Sequence, residues 1–366
     1  MNAEQIDNRV ARLINPTVQG LKAYKVPKTE GAIKLDAMEN PFPWPETMRS
    51  DWLQRLDSAE LNRYPLPGAD GVKDQLRQTM GIDDAYGILF GNGSDELIQI
   101  IAMAVNGGAG GNKILAPEPG FVMYGMVAKF LGMEYVGVPL TDEFELDLEV
   151  FLGEIEQQDP ALIFLAQPNN PTGNLFGEEK IRRIIEQANG LVVIDEAYLA
   201  FTDSDLLPLL DDYSNVVVMR TLSKVGLAGL RLGMLIGHPR WLGEFDKVRL
   251  PYNISVLTQI SAQFALEHYD VLAEQTEQLR VNRGAVLSQL QTDAAFKGIQ
   301  VWPSEANFLL IRVDDAPEVH RALKEEGVLV KLLHGAHPLL SHCLRVNVSS
   351  EAENQAFLAA FAKVLA

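Results

Sequence analysis

Four segments of the chain carry residue types that could do chemistry together, each where an apolar run gives way to a loop. Lys224 follows Thr221, Leu222 and Ser223 at the end of the run Val216 to Arg220, with Gly226 and Gly229 leaving room nearby. An amine so placed can hold an aldehyde as a Schiff base and, once released, carry a proton as a general base. Asp195 closes the run Leu191 to Ile194. A carboxylate at the end of a buried strand is costly unless a charged partner meets it, and a protonated pyridine nitrogen is such a partner. Tyr198, three residues on, and the amide of Asn170 can share the oxygen of a ring hydroxyl. Ser94 sits where a helix should start, after Gly91 and Gly93, so backbone N–H groups and the positive helix end could cradle a phosphate. Asp95 and Glu96 oppose an anion there unless they turn away, so a cation is expected from elsewhere, with Arg231 and Ser223 as the candidate pair.

Amine, carboxylate, ring-oxygen ligands and phosphate cradle are together the equipment for pyridoxal 5'-phosphate, whose protonated ring acts as an electron sink for a carbanion at the substrate carbon. Taken singly, each residue has a plainer reading. Ser94 is an ordinary N-cap, Asp195 a helix cap after a strand, and Lys224 a solvated surface lysine. Other chemistries fail on their motifs. Gly91 to Glu96 begins like a dinucleotide fingerprint, but Glu96 replaces the third glycine. Val192 to Glu196 looks like the strand and acid of a nucleotide hydrolase, yet none of the 29 glycines is followed by lysine, so there is no P-loop. His334, His337 and His342 lie near Cys343 in a spacing that matches no usual ligand pattern, and no metal is expected.

These residues need strands that stop at one edge. From Ile88 onward short apolar runs alternate with longer amphipathic segments: Ile88 to Phe90, Lys113 to Ala116, Tyr135 to Val138, Leu162 to Ala166, Leu191 to Ile194, Val216 to Arg220 and Arg231 to Ile236. This rhythm predicts an α/β domain whose sheet is mostly parallel and covered on both faces. Leu97, Ile98, Ile100, Ile101, Ala104 and Val105, and then Ile181, Ile184 and Ile185, recur at helical spacing. After about Ser255 one long helical region runs through Leu290, followed by strand-like Ile299 to Trp302, Phe308 to Val313, Val328 to Leu332 and Leu344 to Val348, a smaller α+β domain. The first 35 or so residues are too few to stand alone and are expected to pack as an arm.

With 31 Lys plus Arg against 49 Asp plus Glu, the net charge is −18. That argues against nucleic acid and against anionic membrane surfaces, which are held by basic patches. One cysteine excludes an intramolecular disulfide framework. The amino terminus lacks the basic and apolar regions of a secretion signal, and no run approaches a membrane span, so a cytoplasmic protein is expected.

Asn169-Asn170-Pro171-Thr172-Gly173, Asp195-Glu196-Ala197-Tyr198 and Arg220-Thr221-Leu222-Ser223-Lys224, leading to Gly229-Leu230-Arg231-Leu232-Gly233, resemble in order and spacing the fold-type I aminotransferases. Asn62-Arg63-Tyr64-Pro65, Gly91 to Glu96, Glu305-Ala306-Asn307-Phe308 and Leu344-Arg345-Val346 narrow the resemblance to the histidinol-phosphate aminotransferases, over nearly the whole chain. The resemblance implies an aspartate-aminotransferase-like large domain with a mostly parallel sheet over 36–265, a smaller α+β domain over 266–366, and an arm over 1–35 packing with the small domain. It implies transamination of L-histidinol phosphate with 2-oxoglutarate, giving imidazole-acetol phosphate and L-glutamate. An aromatic amino-acid aminotransferase or a phosphothreonine-type decarboxylase on the same scaffold are the alternatives.

Residue by residue, the resemblance assigns the catalytic work to Lys224, Asp195 and Tyr198, the phosphate to Ser94, Ser223 and Arg231, and the ring oxygen to Asn170 with Tyr198, with Gly93 and Asp95 also binding the cofactor. Phe121 stands where the family's ring-stacking aromatic lies, so stacking survives while a hydroxyl contact is lost. Tyr64 matches the residue that reaches the neighbouring subunit's cofactor phosphate, which implies a homodimer with shared active sites. Arg345 matches the arginine for the substrate's anionic end, whose planar fork suits carboxylate and phosphate alike. Lys331 stands where the family often has a second arginine, and Tyr24 of the arm matches a substrate-phosphate contact.

Overall fold

The computed structural model describes residues 2–21 and 31–366, and its strands form two sheets. β1 (Ile33–Leu35) precedes the larger sheet in the chain but belongs to the smaller one. The larger sheet contains β2 (Gly87–Asn92), β3 (Lys113–Glu118), β4 (Glu134–Pro139), β5 (Leu162–Ala166), β6 (Leu191–Asp195), β7 (Val216–Thr221) and β8 (Leu232–Gly237). Their order is β2-β8-β7-β6-β5-β3-β4, and only β8 runs against its neighbours. The carboxyl ends of the other six strands therefore share one edge, the edge at which open α/β sheets bind ligands.

Every residue of β5, β6, β7 and β8 is buried. These strands read as continuous apolar runs because both faces of the sheet are covered. On one face Phe164, Val193 and Met219 pack against Leu97 and Ile101 of the helix Ser94–Val105 and Tyr124 and Val127 of the helix Val122–Leu131. On the other, Leu165, Ile194 and Val218 meet Ile181 and Ile184 of the helix Glu178–Gln187. Successive residues of a strand alternate between these two layers. That alternation decides which side chains at the strand ends turn toward which layer.

The smaller sheet has the order β1-β11-β12-β10-β9, with β9 (Gln300–Val301), β10 (Phe308–Arg312), β11 (Val328–Leu332) and β12 (Cys343–Asn347). β1 pairs with β11 in parallel and the remaining pairs are antiparallel. Its core joins Leu309, Ile311, Val330 and Leu344 to Val286 and Leu290 of the helix Tyr269–Thr292 and to Phe357 and Phe361 of the helix Glu351–Leu365.

Three local features differ from the sequence reading. The single helical region expected after Ser255 is two helices, Val256–Glu267 and Tyr269–Thr292, broken at His268 (φ −116°, ψ 35°). The break lets the first helix stay against the helices Glu46–Leu56 and Asp70–Met80 while the second continues to the smaller sheet's core. Arg231, expected as the first residue of a strand, has φ 50°, and β8 starts at Leu232. A left-handed residue cannot continue the ladder, and the turn aims Arg231 at Gly93. Within the amino-terminal stretch expected to pack with the small domain, β1 enters the smaller sheet. The helix Pro16–Gln19 instead contacts Val122–Leu131, and neither it nor Ala3–Leu13 buries a residue in this chain.

Candidate active site

At the shared strand edge lies a cavity of about 370 Å³, within the size range of small-molecule sites. The described residues lining it include Ser94, Asp95, Phe121, Asn170, Asp195, Tyr198, Ser223, Lys224 and Arg231. Nine of the expected site residues, drawn from six separate stretches of the chain, thus meet in one place.

Asp195 is the last residue of β6, on the side of the sheet that faces the helix Val122–Leu131. Its Oδ2 accepts a 2.7 Å hydrogen bond from the Tyr124 hydroxyl, and its Oδ1 accepts the Ala197 backbone N–H at 3.1 Å. Burial pushes the carboxyl up to about 6, and the bond from Tyr124 works against that rise. Tyr124 was not foreseen as a ligand of Asp195. It is 1% exposed, stacked on Phe164 with centroids 4.4 Å apart, and edge-on to Phe121. Its signal in the sequence is slight: a phenol one helical turn after the expected stacking residue, on an otherwise apolar face.

Lys224 lies in a one-turn segment, Ser223–Leu227, directly after β7. Gly226 within it has φ 113°, which permits the tight reversal that returns the chain toward β8. Burial, and secondarily the positive charge of Arg345, pulls the amine down from its ordinary value to about 8. The amine stands 5.8 Å from the centroid of the Tyr198 ring. The Tyr198 hydroxyl is 3.3 Å from Asn170 Nδ2 and 3.1 Å from Met38 Sδ. Burial raises its pKa, so the phenol keeps its proton.

Gly93 (φ 78°) occupies the N-cap of the helix Ser94–Val105 and makes no side-chain cap bond. The plainer reading of Ser94 as an ordinary N-cap is thereby removed, and the first-turn residues Ser94 and Asp95 line the cavity. Glu96 folds back to accept from the Asn92 backbone N–H at 2.6 Å and Asn253 Nδ2 at 2.8 Å. Asp95 takes a 3.0 Å bond from Arg231. A Cβ at Gly93 would stand 2.5 Å from an Arg231 nitrogen, so glycine is what lets the guanidinium lie against this turn. Ser223 donates its backbone N–H to Thr221 Oγ1 at 3.1 Å, and the two hydroxyls are 2.9 Å apart.

Arg345, on β12, is buried and donates to Asn170 Oδ1 at 2.6 Å and to the Asp36 carbonyl at 3.1 Å. It thereby links the smaller sheet to the ring-oxygen ligands and to the strap after β1, whose Ala37, Met38 and Glu39 line the cavity. The strap went unread as a site element because its prolines and single apolar residues have no period. Lys331 is the cross-strand partner of Arg345 in the β11–β12 register, so both side chains project from the same face, but Lys331 is not among the cavity's lining residues. Tyr64 is also outside this cavity, 81% exposed and stacked on Tyr252 at 4.5 Å. Tyr24 lies outside the described residues. Among those residues, no helix is long and apolar enough to cross a membrane.

The donor set fits pyridoxal 5'-phosphate. A desolvated carboxylate at the cavity floor suits a protonated ring nitrogen, a partly neutral amine suits an aldehyde carbon, and a glycine-led helix start beside an arginine suits a phosphate.

The family model for class I and II aminotransferases matches residues 30–361. A histidinol-phosphate aminotransferase of Nitrosococcus oceani is 49% identical over 96% of this chain and 97% of its own. One of Cupriavidus pinatubonensis is 47% identical over 97% of both. Among solved structures, the histidinol-phosphate aminotransferase of Sinorhizobium meliloti in complex with pyridoxal-5'-phosphate superposes with a TM-score of 0.84 at 26% identity, covering 96% of this chain and 97% of that one.

Proposed function

The chain belongs to the class I and II aminotransferases, and from that premise we propose that it moves an amino group between L-histidinol phosphate and 2-oxoglutarate. The products are imidazole-acetol phosphate and L-glutamate, and the reaction is a step of histidine biosynthesis. The observation that carries the substrate is near-full-length identity of 49% and 47% to relatives named for it.

Pyridoxal 5'-phosphate, when bound, supplies an electron sink that lets the proton on the amino-bearing carbon be removed. The chain's own residues do the rest. Asp195 would pair with a protonated ring nitrogen, while Tyr124 and the Ala197 N–H hold the carboxylate in orientation. Lys224 would anchor the cofactor through its amine, which burial draws down from its ordinary value, and the same amine would serve as the base for the substrate proton. Asn170 and Tyr198 would hold the ring oxygen, and Phe121 would provide an apolar wall for the ring. The Ser94 helix start with Gly93 and Asp95, together with Ser223 and Arg231, takes the phosphate, Asp95 acting through its bond to Arg231. Arg345, with Lys331 on the same sheet face and Tyr24 of the arm, receives the anionic end of each substrate in turn, which suits a ping-pong exchange.

An aromatic amino-acid aminotransferase would use Phe121 and Tyr124 against the substrate side chain. Tyr124 is buried and committed to Asp195, which disfavours that reading. Two copies of the chain are proposed to share their active sites. Leu61, Tyr64, Leu66, Leu250 and Tyr252 are exposed apolar residues, and Tyr64 stacks on Tyr252 rather than entering its own chain's cavity. A cytoplasmic location is proposed with them.

Steady-state kcat/KM with L-histidinol phosphate, phenylalanine and tyrosine as donors tests the reading. Histidinol phosphate is expected to lead. A tenfold or greater preference for the free aromatic acids, or carbon dioxide release from phosphothreonine, would sink it.

A further inference from the structure

One residue beyond Asp195 and one residue before Thr221, the chain places a buried ion pair on the far side of the sheet from the cavity. Glu196 and Arg220 have side-chain exposures of 0% and 3%. Arg220 Nε donates to Glu196 Oε2 at 2.8 Å, and the same guanidinium donates to Asp205 Oδ1 at 2.6 Å. The remaining Glu196 oxygen accepts the Leu206 backbone N–H at 2.7 Å. Each member of the network is thus satisfied by name, which is the condition under which buried charges hold geometry.

The register gives this pair its meaning. β6 and β7 pair from Val192↔Val216 to Asp195↔Met219, and there the ladder ends, save for the Glu196 N–H to the Met219 carbonyl. Past that point one strand delivers Asp195 and Tyr198, and the other delivers Ser223 and Lys224. The ion pair continues the cross-strand connection over the stretch where the catalytic groups leave the sheet. Asp205 and Leu206 extend it to the loop that follows Tyr198. Strand alternation sends Asp195 and Thr221 to the cavity side and Glu196 and Arg220 away from it, so the pair touches neither cofactor nor substrate.

We propose that Glu196 and Arg220 are positioning residues that fix the separation of Asp195 from Lys224, and so set the fit of a ring held at its nitrogen end by one and at its aldehyde carbon by the other. The proposal rests on the pyridoxal phosphate reading of the cavity. A fork bridging two carboxylates from adjacent segments does this in a way a lysine cannot, since lysine offers one point of charge. Groups facing the pair from the surrounding elements are Asp205, with its half-exposed carboxylate, and Tyr269, whose phenol is raised by burial and lowered by Arg220.

The test uses the paired variant Glu196→Gln with Arg220→Met, which removes both charges together and keeps an acceptor for the Leu206 N–H. Removing both members of a buried pair is far less disruptive than removing one. Three quantities are read: the Kd for pyridoxal phosphate by visible titration, the apparent pKa of the bound cofactor's visible band, and the Tm of the cofactor-free protein. The Kd is expected to rise tenfold or more and the apparent pKa to move by at least about half a unit while the protein stays folded. A Kd within twofold of the wild type and an unmoved pKa, whatever happens to Tm, would overturn the proposal and reduce the pair to a structural role. Should the paired variant not fold, Arg220→Lys carries the same two readouts, with a smaller shift expected in each and an absence of shift again overturning the proposal. A wild-type protein that gives no visible band with pyridoxal phosphate would remove the cofactor reading itself, an outcome distinct from normal binding by an unaffected variant.

Discussion

Burial moves the protons of the two central titratable groups in opposite directions. Lys224 is brought down to about 8 by desolvation and then by Arg345, while Asp195 is pushed up to about 6 by desolvation, against the bond from Tyr124. In the cofactor-free protein the unfolded chain holds more protons on Lys224 than the folded chain does between about pH 8 and 10.5, so this residue's contribution to stability rises with pH across that window. For Asp195 the folded chain holds more protons between about 4 and 6, so its contribution falls as pH rises there. The charged forms of both are thus disfavoured in the cofactor-free protein. Labelling of Lys224 in the cofactor-free protein by an amine-directed reagent, followed by peptide mapping, should be half-maximal near pH 8, well below the ~10.4 of an exposed lysine. In Arg345→Gln the midpoint should move upward, because a positive neighbour has been removed. A wild-type midpoint at 10 or above would contradict the burial argument.

The phosphate end of the site depends on how closely two elements approach. β8 is inserted antiparallel between β2 and β7, and Gly233 at its start is paired with both Gly91 and Thr221. A Cβ at Gly233 would lie 2.6 Å from the Gly93 carbonyl carbon and 2.7 Å from the Ser94 nitrogen, contacts with backbone that cannot swing aside. Gly233→Ala should therefore push β8 away from the start of the helix Ser94–Val105, at a cost of about 1–3 kcal/mol, and weaken pyridoxal phosphate binding by tenfold or more. Gly243→Ala is the control, since a Cβ there meets nothing within 4 Å in the helix Pro239–Asp246. Urea unfolding and visible titration of both variants check this, and equal behaviour of the two would refute the close-approach account. The same elements explain Glu96 and Asp95, whose charges looked hostile to an anion. The turn at Asn92–Gly93 returns Glu96 to the Asn92 N–H, and the left-handed Arg231 meets Asp95.

The molecule as a whole carries a net charge of −18 and still sets Arg231 and Lys224 in the wall of one cavity, with Arg345 behind them bonded to the lining residue Asn170, since local geometry at short range outweighs distant, screened charges. It also leaves apolar residues exposed, among them Leu61, Leu66 and Leu250 at 70–71%. Sedimentation should find a dimer, and Leu61→Glu combined with Leu250→Glu should shift it toward monomer with loss of activity at low protein concentration; a wild-type monomer with full activity would end the shared-site proposal. The residues that do chemistry are legible in the sequence because polar and charged types there follow directly on apolar strand runs, where a buried carboxylate or amine needs a partner. Lys224, Asp195, Asn170 and Ser94 each stand at such an ending, and the rhythm of continuous apolar runs and amphipathic helical segments predicts one mostly parallel sheet. Tyr124, the strap of Ala37 to Glu39 and the pair Glu196–Arg220 were not readable as site elements, because their partners lie 71, 24 or more residues away or on a segment without period. Local sequence thus determined the inventory of strands, helices and reactive groups, as local sterics and amphipathic spacing do. Which hydroxyl holds Asp195, which way Glu96 turns, and how far Lys224 and Asp195 are driven from their ordinary protonation depend on burial and on contacts between distant segments, and these exist only once the sheet has closed.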